Sequence, residues 1–210
     1  MIVTVSASVI AIQIRRRRPS IVALATMMVL LTTACAPSAR AQASGDAMEV
    51  AAYEYFDAVD CLESVARTDP EELDRVSGVS GCFADDFVGL TPQQIDSVPS
   101  WGSYLLTVSS NGEQISLEAL SFGVARRFVS GQSASASFGA CWSTVVDFSD
   151  STVSEPQGEE CGRELLDRTY GRADEVSVAE VRKHKPDDLV HTTGPNRPAC
   201  YSGSDDCVGG

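Results

Sequence analysis

The stretch SASASFGACWSTVVDF, residues 133–148, decides the fold. Its even positions are Ala134, Ala136, Phe138, Ala140, Trp142, Thr144, Val146 and Phe148, while its odd positions are mostly Ser, Gly, Cys and Asp. Side chains alternate between faces along a strand, so this period of two predicts one long, half-buried strand. Phe138 and Trp142 point inward and Ser137 outward. Upstream, Tyr104–Ser109 and Gln114–Leu120 flank Asn111-Gly112, the strongest short hairpin signal. Within the second of these segments the phase changes: Ile115, Leu117 and Ala119 are apolar at odd positions, Leu120, Phe122 and Val124 at even ones. A one-residue slip exchanges the faces of a strand, so a bulge or break is expected near Leu120–Gly123. Asp150–Gly158 reads as a polar turn region. Further strands are expected around Glu175–Arg182 and, briefly, at Leu189–Thr192, whereas Gly162–Tyr170 is ambiguous.

The chain before the strands has a helical period. Ala52, Phe56, Val59, Leu62 and Ala66 recur every three or four residues, flanked by Tyr53 and Tyr55, and Asp46 and Glu49 have capping-box spacing. An amphipathic helix is therefore expected over Asp46–Arg67. Asp69-Pro70-Glu71-Glu72 supplies an N-cap, a first-turn proline and acidic residues for a short second helix that ends at Ser77 before Gly78. Thr91-Pro92-Gln93-Gln94 repeats the start signal for one turn. Helices first and strands after them make an α+β domain, with N-terminal helices packed on a curved antiparallel sheet. Its span is residues 46–193.

The first residues read as an address. Arg15–Arg18, an apolar run from Ile21 to about Thr33 and small residues ending at Ala34-Cys35 follow the charged, apolar and cleavage-region order of a secretory signal. An apolar helix of roughly 13 residues spans about 20 Å against a hydrocarbon core of about 30 Å, too short for a comfortable membrane span. Leu31-Thr32-Thr33-Ala34-Cys35 resembles the lipobox of bacterial lipoproteins, with Thr32 where the commonest form has leucine. The resemblance implies removal of residues 1–34, a diacylglyceryl thioether on Cys35 and anchoring at the outer face of the cytoplasmic membrane. Residues 35–45, rich in Ala and Ser, would then be a flexible tether. Ala41-Gln42-Ala43 is a competing cut for an ordinary signal peptidase, which would release a secreted chain.

Formal charge is −13 for 210 residues; setting aside the four leader arginines leaves 12 basic residues against 29 acidic ones, a net charge of −17. So acidic a chain is repelled by phosphate backbones and by anionic lipid headgroups, and its remaining Lys and Arg residues form no run longer than two, as at Arg126-Arg127, so nucleic acid is not an expected partner. Behind Cys35 stand six further cysteines: Cys61, Cys82, Cys141, Cys161, Cys200 and Cys207. An even number in a short exported chain predicts three disulfides; six cysteines allow 15 connectivities and the sequence does not choose among them, local pairing of Cys61 with Cys82, Cys141 with Cys161 and Cys200 with Cys207 being the simplest expectation. The last pair would staple a tail over residues 194–210. There is no C-x-x-C and neither histidine lies at finger spacing from a cysteine pair, so no metal site is expected.

His184 and His191 are the only histidines, in a charged stretch interrupted by Pro186. They could pair with Asp187 or Asp188 for acid–base work, but a solvated turn is the plainer reading. No nucleophile elbow, P-loop, dinucleotide fingerprint or EF-hand loop occurs. Asp147 with Asp150, and Asp205 with Asp206, lack the alternating oxygen ligands of a calcium loop and read as turns. No catalytic residue and no cofactor is assigned.

The order of long helix, short helix, helical turn, hairpin and long strands is similar to the cone-shaped NTF2-like superfamily, over roughly residues 46–193. That resemblance implies a helix closing a curved sheet and, where members are enzymes, acidic, His or Tyr groups inside the cone. Tyr53, Tyr55 and Asp57 are the nearest candidates. The expected role is a membrane-anchored, non-enzymatic module that binds a protein or small molecule, or assists assembly. The alternative is a small secreted hydrolase or isomerase with a carboxylate or histidine base.

Overall fold

The computed structural model describes residues 37–68, 75–95, 98, 101–169 and 172–186. Cys35, Cys200, Cys207, His191, Asp205, Asp206, the Leu189–Thr192 strand and the expected tail lie outside them.

A single long helix, α1 (Ala39–Ala66), dominates the N-terminal side. It starts seven residues before the expected position, because Ser38 is extended and its hydroxyl accepts a hydrogen bond from the Ala41 amide at 3.2 Å. Much of the segment read as a flexible tether is therefore helix, and Asp46, read as the cap, lies in the helix interior. The next helix, α2 (Arg75–Ser80), runs through Gly78 instead of stopping before it. Val79 is fully buried and the Cys61–Cys82 disulfide ties the following turn to α1, so tertiary contact outweighs the modest helix cost of glycine. Pro92–Gln94 forms the expected turn, with Thr91 and Gln94 closing a capping box.

Among the described residues seven strands make one sheet: β1 (Asp85–Asp86), β2 (Gly102–Ser110), β3 (Gln114–Val129), β4 (Gln132–Asp147), β5 (Thr152–Val153), β6 (Gln157–Glu159) and β7 (Asp174–Glu175). The main path is β1-β2-β3-β4-β5, with β6 and β7 also pairing β4. β2, β3 and β4 are antiparallel as expected, but the sheet is mixed, since β1 joins β2 and β7 joins β4 in parallel. Both parallel pieces are two residues long and are reached through long connections, which a parallel pairing requires.

The β3–β4 ladder pairs without interruption from Gln114↔Asp147 to Val129↔Gln132. No bulge sits at Leu120–Gly123; the register shift is between Leu105 and Thr107 on β2. The phase change has another cause. Ile115, Leu117 and Ala119 meet α1 on the inner face, in a core with Leu62, Tyr55, Trp142 and Val146. Leu120 and Phe122 point to the outer face, where a second core holds them with Tyr104, Leu165 and Leu166. That cover comes from α3 (Arg163–Arg168), which resolves the ambiguous segment as helix. Ser137, expected to be exposed, is 8% exposed.

The strand expected at Glu175–Arg182 is mostly helix. After β7, Ser177 caps α4 (Val178–Val181), accepting from the Glu180 amide at 3.2 Å, and Val178 and Val181 are both buried. Val178 and Val181, three apart, make the buried face of one helical turn.

Candidate functional site

Aromatic and aliphatic side chains pack between α1 and the sheet. Trp142 is fully buried, edge-on to Tyr55 with ring centroids 5.4 Å apart, and its indole nitrogen donates to the Ser121 hydroxyl at 3.0 Å. Ser121 shares a 2.8 Å hydrogen bond with Ser103, whose hydroxyl also reaches the Glu54 carbonyl at 2.8 Å. The indole nitrogen and both hydroxyls of this relay are thereby satisfied, which ties α1 to β2, β3 and β4.

Sequence reasoning singled out Tyr53, Tyr55 and Asp57, and all three are buried. The Tyr55 hydroxyl accepts from Arg182 Nε at 3.1 Å, and Arg182 continues to Glu155 at 2.7 Å and the Pro156 carbonyl at 2.5 Å. Burial pushes the Tyr55 phenol above its usual range, against the opposing pull of Arg182. Arg182 clamps three segments: α1, the β5–β6 connection and α4. Tyr53 and Asp57 are also engaged and not free groups. His184 lies in a 3₁₀ turn, with Nε2 4.0 Å from Glu180, on the surface. Asp147 directs both carboxylate oxygens to protein donors: Ser149 and the Asp150 amide on one, Gln114 Nε2 on the other. These bonds, the Ser149 hydroxyl first, lower its pKa to about 2.

Two surface features were not found from the sequence. One is a shallow groove of about 280 Å³ on the outer face of the sheet, lined by Thr107, Ser109, Ser116, Glu118, Ser143 and Gln157 among others. These are the outward partners of the inner-core residues, so the signal was the polar half of each alternating pattern. The other is the end of the β3–β4 hairpin. β2 stops pairing at Phe122 and β7 begins at Phe138, so among the described residues Val124–Val129 and Gln132–Ser137 pair as strands only with each other, in a two-stranded ribbon. Ser130 and Gly131 both have positive φ, 50° and 81°, as a two-residue turn that follows the strand twist requires. Phe128, two residues before that turn, is 74% exposed.

No family model, curated protein or solved structure matches the chain. Among the described residues no helix is long and apolar enough to cross a membrane.

Proposed function

We propose that this chain is an exported lipoprotein, cleaved before Cys35 and acylated there, whose domain is a non-enzymatic binding or assembly module at the outer face of the cytoplasmic membrane. The observation that carries this reading is the pair of disulfides inside the domain, Cys61–Cys82 and Cys141–Cys161, with Cα atoms 5.6 and 5.2 Å apart. Such bonds form and persist in oxidising compartments, and here they follow a chain start with the order of an export signal. A binding role is favoured over catalysis because Tyr55 is committed to Arg182 and Trp142, and the helix–sheet interior is filled by aromatic and aliphatic side chains. On this reading the domain is a closed relative of the NTF2-like cone, and its hydroxyl-lined outer groove faces the ligand.

The test is Cys35→Ala. It should abolish incorporation of a fatty-acid analogue and leave the precursor unprocessed. A mature chain beginning at Ser44 with no acyl group would replace this reading with free secretion.

A further inference from the structure

The two-stranded ribbon and the start of α1 finish at the same end of the domain. Three ties fix their relative direction: Ser103, paired with Ser121, bonds the Glu54 carbonyl; a Cβ on Gly123 would come within 2.3 Å of the Ala47 carbonyl and 2.4 Å of the Ala51 amide; and Arg127 pairs with Asp46. Moving along β3 towards its tip therefore moves towards the N-terminus of α1. Beyond the Arg127–Asp46 pair, the helix runs about 10 Å to Ala39 at 1.5 Å per residue, and the strand about 10 Å to Ser130.

The chemistry of this end differs from that of the rest. The chain carries no acidic residue between Glu118 and Asp147, in a protein with 29 of them. With Arg127 turned to α1, alternation puts Arg126 and Phe128 on the opposite face, and both are exposed, as is Arg40 in the first turn of the helix. The opposite end of the ladder carries Glu113, Asp147 and Asp150. Cys35 precedes Pro37 by two residues, and two extended residues reach at most about 7 Å.

We propose that the hairpin tip is a second membrane contact: Phe128 enters the headgroup boundary and Arg126 binds lipid phosphate, fixing the orientation of a domain tethered through Cys35. This inference rests on the acylation of Cys35 stated above. A guanidinium suits the phosphate of an anionic headgroup, and an aromatic side chain beside it suits the interface. The acidic end is then held away from the bilayer, and the outer groove stands open beside the sheet.

The test uses the mature protein carrying Phe128→Trp, reconstituted in vesicles of phosphatidylcholine and phosphatidylglycerol with lipids brominated on their acyl chains. The added tryptophan should emit at shorter wavelength than in detergent-free buffer, and quenching should be about twofold stronger than for the parent chain with Trp101 and Trp142 alone, as for a group seated at the interface. Adding Arg126→Glu should remove most of the extra quenching. The intact mass of the same sample reports the acyl group. An acylated protein whose added tryptophan is neither shifted nor quenched overturns the tip contact and leaves the anchor standing. A chain without acyl groups overturns the anchor, and the tip contact with it, because only the tether places this end at a bilayer.

Discussion

The β3–β4 ladder has two halves that share a strand period and differ in what surrounds them. From Gln114 to Phe122, against Gly139 to Asp147, further strands flank the pair, α1 covers the inner face, and α3 covers part of the outer one. From Val124 to Val129, against Gln132 to Ser137, no strand among the described residues is added on either side, and α1 continues along the inner face, where Arg127 pairs with Asp46. The first half buries Trp142, Phe122 and Leu117; the second exposes Phe128. Alternation specifies a strand, but the elements that arrive from elsewhere in the chain decide which faces become core. The hydrogen-bonded ladder is continuous, so the contrast lies in side-chain burial, the larger source of stability.

Several substitutions would break or sharpen this contrast. In the covered half, Trp142→Ala removes a fully buried indole and its bond to Ser121, and should cost about 3 to 5 kcal/mol in urea unfolding with disulfides intact. A loss under about 1 kcal/mol would mean that this core does not hold the ladder. Replacing Cys61 and Cys82 together by Ser opens a cross-link of sequence separation 21, and should cost about 3 kcal/mol on the loop-entropy account. Its readout is the urea midpoint of the double variant beside that of the parent.

Asp147 closes the covered end. Its pKa is lowered from 3.8 to about 2, so its contribution to stability is fully present above the unfolded value and is lost as pH falls through about 2. The gap in urea midpoint between wild type and Asp147→Asn should therefore be constant above about pH 5 and shrink towards pH 2. A gap that widens on acidification would contradict the hydrogen bonds assigned to this carboxylate. The smallest effect is expected at the bare end, where Phe128→Ser should change stability by less than about 0.5 kcal/mol, since the side chain is already in solvent. A cost near that of Trp142→Ala would show that the tip is packed.

Much of this contrast was legible in the sequence, and the missing part has a common cause. The inward face of residues 133–148 and the Asn111-Gly112 hairpin follow from local alternation and turn chemistry, and two cysteine pairs from parity and proximity. The apolar phase change at Leu120 was visible, but its reason was not, because Leu165 and Leu166 come from a helix whose short pattern has no period of its own. Ser137 was misplaced for the same reason: burial of an outward position depends on a distant segment. Gly78 and Ser177 failed differently, through a helix maintained across glycine by Val79 and a cap at Ser177 overlooked beside Val176. The candidate groups Tyr53, Tyr55 and Asp57 were found as residues, but their role was not, since only the fold brings Arg182 to Tyr55. The hairpin tip carries little signal in the sequence, because serine at the first turn position is a weak marker of positive φ.

Amide hydrogen exchange on the intact mature protein, resolved along β3 and β4, tests the account most directly. The amides of Leu117–Phe122 and Ala140–Val146 should exchange only through global unfolding, while those of the ribbon, Val124–Val129 and Gln132–Ser137, should exchange much faster through local opening. Equal protection along the whole ladder would contradict it.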